Sequence, residues 1–180
     1  MLTITIPARE LFDEKTEQFV YTKEQTLQLE HSLVSLSKWE SKWKKPFFAT
    51  KEKTNEETID YIRCMTITQN VDPMIYNFLT DENLLAIHDY IEDPMTATTF
   101  SDSKNGKKNR EIITAELIYY WMISSGIPFE CQKWHLNKLI TLIRVFEVKN
   151  TPPKKMSQRE LMNRNRALNE ARRKQFNSKG

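Results

Sequence analysis

The change from strand to helix that decides this fold lies in residues 26–43, which read TLQLEHSLVSLSKWESKW. The first four residues alternate polar and apolar side chains, which is the pattern of a half-buried β-strand. Ser32 is a preferred helix N-cap residue, and Trp39 and Trp43, four residues apart, share one face of the helix that follows. The stretch therefore predicts a strand that leads directly into a helix with an aromatic face.

Upstream of this helix, the chain has the pattern of a small antiparallel β-sheet. Residues 2–6, LTITI, alternate apolar and polar side chains, and Pro7 closes the run. Two further β-prone runs, at 10–12 and 18–21, flank a polar turn. Together with the strand before Ser32, these runs predict a sheet within residues 1–30.

Downstream of Pro46, which is expected to end the first helix, the pattern is helical. Thr54 opens a capping box, in which a threonine hydroxyl and a glutamate satisfy each other's backbone amides. Asp72 precedes a proline, which suits the first turn of a short helix. Thr80 caps a helix that is expected to end before Pro94.

Two later segments, 111–125 and 128–146, are strongly apolar and are expected to pair as the central hairpin of the core. Gly126 is the predicted stop between them. Burial of their aliphatic and aromatic side chains would dominate the stability of the domain. The side chains of the first helix that are well placed for burial are Ile112, Leu117, Tyr120, Trp121 and Met122. The second helix is apolar on most faces and runs through Trp134, Leu136, Leu139, Ile140, Leu142, Ile143 and Phe146.

These patterns predict an α+β fold, a predominantly helical single domain with a small N-terminal antiparallel β-sheet and a basic C-terminal helix. The body spans residues 1–150, and its β-hairpin region spans about residues 1–30. Residues 151–180 hold a Thr-Pro-Pro break and then a helix that starts at another capping box, Ser157 to Glu160. The apolar stripe of this helix is narrow, so the helix needs to dock on the body or on a partner to be stably ordered.

Composition excludes several classes of protein. The chain has three glycines, too few and too far apart for the Gly-rich loops that bind dinucleotides or phosphates. Its two cysteines form no CxxC pair and no secretory leader is evident, which favours a reducing cytoplasm over a disulfide-framework protein. No apolar run approaches the roughly 20 residues that a bilayer requires, so no membrane partner is expected.

Charge is distributed unevenly along the chain. Residues 154–180 contain nine Lys or Arg and two Glu, a net charge of +7. The rest of the chain contains 18 basic and 22 acidic residues, a net charge of −4. Such asymmetry predicts a tail that seeks nucleic acid or an acidic protein surface, or that folds back on its own body.

Few residues suggest catalysis or metal binding. Cys131 and His135 are four residues apart on a predicted helix, as a metal pair or a Cys–His dyad requires, but further ligands at a suitable spacing are missing and core packing is favoured. Glu30, His31 and Ser32 are not a triad, because neighbours on a strand point apart, and a structural or capping use is favoured. The sequence therefore predicts a non-enzymatic protein without catalytic, cofactor-binding or metal-binding residues.

Candidate partner-binding residues fall in three places. Trp39 and Trp43 are framed by lysines and could stack on single-stranded nucleic acid, although packing of one indole face into the body is favoured. A polar, basic loop at 101–110 and the basic tail could contact phosphates, although solvated surface or protein docking is favoured. The candidates in these two segments are Lys107, Lys108 and Arg110 in the loop, and Leu161, Arg164, Leu168, Arg172 and Arg173 in the tail.

Three stretches resemble small proteins encoded in the tail-gene region of tailed bacteriophages. They are residues 29–43, LEHSLVSLSKWESKW, residues 127–136, IPFECQKWHL, and the Arg- and Asn-rich end at 163–174. The resemblance extends over nearly the whole chain and is greatest to the proteins called tail assembly chaperones.

The resemblance implies a mostly helical, non-enzymatic protein that binds the long helical tape-measure protein, or another tail protein, in the host cytoplasm during tail assembly. A binder of this kind needs an apolar groove or a docking helix more than a polar pocket. A purely helical chaperone does not require the N-terminal strands. The strands therefore leave a second possibility, that the protein is a structural component of the neck or tail that stays in the virion. The sequence is also compatible with a nucleic-acid-binding accessory protein and with self-association.

Overall fold

The fold is predominantly helical α+β, as the sequence predicts, with antiparallel strands at the N-terminus. The structure is a computed structural model and describes residues 1–13, 18–50, 52–100, 111–151 and 157–177. The chain divides into two compact units, Met1–Glu147 and Val148–Gly180, each described by itself. The strands are β1 (Leu2–Ile6), β2 (Arg9–Asp13), β3 (Gln18–Thr22) and β4 (Gln25–Leu29), and the α-helices are α1 (Leu33–Trp43), α2 (Asn55–Met65), α3 (Asp81–Glu92), α4 (Ala115–Ser124), α5 (Leu136–Asn150) and α6 (Gln158–Phe176).

The four strands form two separate antiparallel pairs. β1 pairs with β4, with Ile4 opposite Leu27, and the alternation seen in the sequence places the apolar side chains of this pair in the core. β2 pairs with β3, with Phe12 opposite Phe19, and Tyr21 of this ribbon is exposed. The pair β1–β4 therefore belongs to the core, whereas β2 and β3 form a ribbon in the connection between its two strands.

Helix α1 is the helix against which several others pack. It starts where the sequence predicts, because the Ser32 hydroxyl accepts the Ser35 amide N–H at 3.3 Å while the Ser35 hydroxyl accepts the Ser32 amide N–H at 2.9 Å. It ends at Trp43, before Pro46, with Lys44 in the left-handed conformation (φ 54°). α1 contacts α2, α4 and a 3₁₀ helix at Phe129–Lys133. The expectation that the two later apolar helices form the central hairpin is therefore corrected, since α1 holds the central position.

Two predicted helix boundaries are also corrected. α4 begins at Ala115 and not at residue 111, because the Thr114 hydroxyl accepts the Leu117 amide N–H and caps the helix there. The buried face of α4 then contains Ala115, Ile118 and Met122, spaced by three and four residues. The predicted burial of Ile112 and Tyr120 is wrong, since these side chains are 58% and 64% exposed.

The predicted helix over 128–146 is broken in the middle. A 3₁₀ helix ends at Lys133, and α5 starts at Leu136. The backbone leaves the helical path at this point because the Leu136 amide donates to the His31 carbonyl at 2.7 Å, which ties α5 to the end of β4. Trp134 is 40% exposed at this break. The short helix after Asp72 is likewise a 3₁₀ helix, Pro73–Phe78.

The buried carboxylate of Glu40 holds three segments together. Its Oε1 accepts the Phe47 amide N–H at 2.8 Å, and its Oε2 accepts the Ala115 amide N–H at 2.7 Å. Both bonds are buried. Phe47 lies in the turn that follows α1, and Ala115 is the first residue of α4, where backbone N–H groups lack partners within the helix. Glu40 therefore joins α1 to the chain after it and to the first turn of α4.

We expect Glu40→Gln to lower the free energy of unfolding by about 1 to 3 kcal/mol, because the amide keeps one acceptor oxygen and leaves one buried backbone N–H without a partner. Urea unfolding of the variant and the parent protein measures this difference. Glu116→Gln, at an exposed position on α4, is the matched control and should change the value by less than about 0.5 kcal/mol. Equal values for the two variants would contradict the role assigned to Glu40.

The second unit contains α6. Every α6 side chain that the structure describes is exposed, including Leu161 and Leu168 of the apolar stripe. None of the helices within the described residues combines the length and the apolarity needed to cross a bilayer.

Candidate protein-binding groove

A concave, largely apolar surface lies between α2, α3 and the chain that follows α1. This α2–α3 groove has a volume of about 540 Å³. Its floor and walls are formed mainly by aliphatic and aromatic side chains, and polar or charged side chains stand among them. The residues that line it are Phe47, Lys53, Thr58, Tyr61, Ile62, Leu84, Ile87, His88, Ile91 and Glu92.

The groove continues into a neighbouring cavity of about 400 Å³. The two share Phe47, Lys53, Ile91 and Glu92, so they form one continuous depression along the side of α3. The residues that line only the second part are His31, Phe48, Thr50 and Asn137. The first part, which is the more apolar, suits an amphipathic helix, which buries side chains spaced at i, i+3, i+4 and i+7.

The α3 wall of the groove has the same helical spacing. Leu84, Ile87, His88 and Ile91 all line the groove and are separated by three and four residues. Ile87 is buried, whereas Leu84 and His88 are exposed at the rim. The opposite wall contains Lys53, whose Nζ lies 4.0 Å from the centroid of the Phe47 ring. Burial lowers the pKa of Lys53, and the nearby Glu57 opposes that shift.

The α3 wall of the groove belongs to an acidic part of the chain that sequence reasoning missed. Residues 64–100, named here the acidic segment, contain six Asp or Glu and no Lys or Arg. Five of these acids fall on α3 or directly after it, where Asp89 and Glu92 lie on the surface of the helix. The excess of acidic residues is visible in the composition of residues 64–100, but it cannot be seen in the net charge of the whole body.

The two tryptophans do not form an exposed stacking platform. Trp39 is fully buried, and its indole N–H donates to the Glu57 carbonyl at 2.9 Å. Trp43 is half-buried, and its indole N–H donates to Asp60 Oδ2 at 2.9 Å. Packing of the indoles into the body is therefore what the structure shows, and the suggested contact of Trp39 with nucleic acid bases is corrected.

Lysines and buried carboxylates surround the tryptophans. Lys42 forms an ion pair with Asp60, and Lys45 Nζ lies 2.5 Å from Glu57 Oε1. Glu57 also accepts the Thr54 amide N–H at 2.8 Å, which completes the capping box of α2. The hydrogen bonds from Lys45 and from the Thr54 backbone hold the pKa of Glu57 below its ordinary value. These lysines therefore neutralise the buried carboxylates of Asp60 and Glu57 at the edge of the core, and they also face solvent.

Comparisons of the chain with protein-family models, with curated proteins and with solved structures found no match.

The tail candidates lie on α6, on its apolar face and on the two sides that flank this face. Leu161 and Leu168 are seven residues apart and share one face, which Arg172 borders about 20° away. Arg173 lies on a second side, about 120° from Leu161, and Arg164 lies on the other flank of the apolar face. The loop candidates Lys107, Lys108 and Arg110 lie outside the described residues.

Cys131 and His135 occur at the break between the 3₁₀ helix and α5, and both are buried. The His135 ring lies 5.1 Å from the ring of His31, and its Nε2 lies 2.9 Å from the Tyr90 carbonyl oxygen, to which it donates. The described residues contain no group of three His, Cys, Asp or Glu side chains placed to hold a metal ion. The helical spacing inferred for Cys131 and His135 is therefore wrong, because the chain is not continuously helical between them.

Two neighbouring residues have the structural uses expected of them. Ser32 caps α1, and the His31 Nδ1 lies 2.6 Å from the Tyr61 hydroxyl in the core. Glu30 accepts the Tyr90 hydroxyl at 2.6 Å and pairs with the N-terminal amine at 3.0 Å. Glu30 and His31 thus bind different partners and do not act on one common site.

Proposed function

We propose that this protein is a non-enzymatic assembly factor of a tailed bacteriophage, which binds the tape-measure protein or another tail protein during morphogenesis. The observation that carries the proposal is the α2–α3 groove, about 540 Å³ and lined mainly by apolar side chains at helical spacing. A tape-measure protein exposes long amphipathic helices, and such a groove is the usual form of a site for one. The resemblance of residues 29–43, 127–136 and 163–174 to tail assembly chaperones supplies the biological context.

The exposed helix α6 provides a second surface in the same proposal. Its apolar stripe at Leu161 and Leu168 is exposed in the structure, and a partner helix could cover it. The flanking arginines suit an acidic partner surface. Binding through both surfaces would take place in the host cytoplasm during assembly.

The test is co-expression with the tape-measure protein of the phage that encodes the chain. We expect a soluble complex that co-purifies through size-exclusion chromatography. Leu84→Arg should weaken the complex at least tenfold, because it puts a charge into the apolar groove, whereas Leu85→Arg, next to it but outside the groove, should have little effect. A stable complex that tolerates Leu84→Arg would remove the groove from the proposal, and the absence of any complex would remove the partner.

A further inference from the structure

Helix α6 has a basic face on the side opposite to its apolar stripe. We propose that this face binds double-stranded DNA, with the helix lying in the major groove and its arginines on the phosphates. DNA binding at this face is independent of the α2–α3 groove, which is the site proposed for a tail protein. Four features of α6 favour this ligand: its charge, the positions of its arginines, the kinds of polar side chain that it carries, and its shape.

The charge of the tail is opposite to that of DNA. Residues 154–180 have a net charge of +7, and every α6 side chain that the structure describes is exposed. A DNA duplex carries one negative charge per about 1.7 Å of its axis, and basic side chains that neutralise its phosphates release condensed counterions. A helix with this charge therefore gains binding free energy from the DNA backbone.

Arginines at every seventh position form the basic face. Arg159, Arg166 and Arg173, named here the arginine stripe, are exposed and lie about 120° to 160° around the helix from Leu161. A partner helix that covers Leu161 and Leu168 thus leaves the stripe uncovered. The stripe spans about 21 Å of helix, which corresponds to about six base pairs of DNA.

The cations of α6 differ in kind from those in the rest of the chain. Residues 158–176 contain five Arg and one Lys, whereas residues 1–153 contain four Arg and 14 Lys. A guanidinium group binds a phosphate or a carboxylate through two parallel hydrogen bonds, and it is more weakly hydrated than an ammonium group. Lysine is sufficient to solvate a helix surface, so the change to arginine favours an oxyanion ligand.

Asparagines accompany the arginines and favour DNA over an acidic protein surface. Asn163 and Asn169 are exposed and lie within about 60° of Arg166 around the helix. Asparagine is a poorer helix former than alanine, so these residues do not contribute to the stability of α6. Carboxylates are acceptors only, whereas the base edges of DNA present donors and acceptors, both of which an asparagine amide can pair with.

The shape of α6 favours a DNA duplex over other nucleic acids. An α-helix with its side chains is about 10 to 12 Å wide, which matches the major groove of B-form DNA, about 12 Å wide. The major groove of A-form RNA is too narrow for side chains to read. Sites for single strands use stacked aromatic side chains, and residues 158–176 contain a single aromatic residue, Phe176.

Two other residues on this face do not bind phosphate. Met162 is apolar and 67% exposed. Glu170 pairs with Arg166 at 3.6 Å, and both of these side chains are exposed. Arg159 and Arg173 form no ion pair among the residues that the structure describes. Substitution of these two arginines therefore removes phosphate contacts without disturbing an ion pair of the helix.

The test is binding of the full chain to a fluorescently labelled DNA duplex of about 20 base pairs, measured by fluorescence anisotropy between about 50 and 200 mM NaCl. We expect the logarithm of the association constant to fall linearly with the logarithm of the salt concentration, with a slope of about −0.9 for each phosphate contacted. Arg159→Gln with Arg173→Gln should make this slope less negative by about 1.8 and should weaken binding at least tenfold at the lowest salt concentration.

Two control variants separate the arginine stripe from net charge. Arg9→Gln with Lys23→Gln removes the same charge at exposed positions outside α6 and should leave the slope of the parent protein unchanged. Arg159→Lys with Arg173→Lys retains the charge but loses the paired hydrogen bonds, so it should retain the slope and weaken binding several-fold. Circular dichroism of each variant checks that α6 is still helical.

Three results would overturn the proposal. The first is a parent protein that does not bind the duplex at the lowest salt concentration, and the second is a slope that the glutamine substitutions at Arg159 and Arg173 leave unchanged. The third is binding of labelled polyglutamate in place of DNA, which would assign the arginine stripe to an acidic protein surface. Leu84→Arg should leave DNA binding intact, so a failure of the groove and a failure of the stripe can be told apart.

Discussion

Lowering the pH below 6.5 is expected to reduce the free energy of unfolding by about 1.4 kcal/mol per pH unit through His31 alone. His31 is 2% exposed, and burial, together with the nearby His135, lowers its pKa from 6.5 to about 3. The unfolded chain takes up a proton at this residue near pH 6.5, whereas the folded protein does not until about pH 3. The stabilisation is complete above pH 6.5 and is lost as the pH falls toward 3, by a total of about 4 to 5 kcal/mol.

His31→Gln isolates this contribution. Glutamine does not titrate, and its side chain can still pair with the Tyr61 hydroxyl, which lies 2.6 Å from Nδ1 in the parent protein. Urea unfolding at pH 7, 6, 5 and 4 should give a shallower pH dependence for the variant by about 1.4 kcal/mol per unit. His88→Gln, at an exposed position on α3, should keep the slope of the parent. If His31→Gln and the parent show the same slope, His31 is not held neutral by the fold.

Trp39→Ala is expected to lower the free energy of unfolding by about 3 to 5 kcal/mol. The indole is fully buried, contacts the Phe47 ring edge to face at 5.2 Å between centroids, and donates to the Glu57 carbonyl at 2.9 Å. The substitution leaves a large cavity in the middle of the α1–α2 contact and removes the indole hydrogen bond to the Glu57 carbonyl.

Trp43→Ala is the matched control for Trp39→Ala, since the two residues are one helical turn apart. Trp43 is half-buried, so its loss should cost less than half as much in the same urea measurement. Trp39→Phe should fall between the two, because it restores part of the buried volume without the hydrogen bond. A larger loss for Trp43→Ala than for Trp39→Ala would contradict the assignment of Trp39 to the core.

The parts of the fold that the sequence predicted correctly depend on local interactions. Ser32, Thr54 and Thr80 each cap a helix through a residue three positions later, and all three capping boxes are present. The alternation in residues 2–6 likewise needs only the residue type at each second position. Patterns that involve residues only two or three positions apart can be recognised in the sequence without knowledge of the tertiary structure.

The parts that the sequence did not predict depend on residues far apart in the chain. The break before Leu136 exists because its amide reaches the His31 carbonyl, more than 100 positions away. The α2–α3 groove needs Phe47, Tyr61 and Leu84 to come together from separate segments. Tyr120 is exposed because the buried face of α4 contains Ala115, Ile118 and Met122, and the apolar composition of the segment did not indicate which face is buried.

The two hydrogen bonds of Glu40 have a consequence for the order of folding events. The amides that donate these bonds belong to Phe47 and Ala115, 7 and 75 positions along the chain from Glu40. The bond from Phe47 therefore closes a short loop, and the bond from Ala115 closes a long one. Closing the long loop costs chain entropy before any contact offsets it, which slows folding. Attachment of α4 is thus expected to follow formation of the turn after α1, and variants of Ala115 should alter the unfolding rate more than the refolding rate.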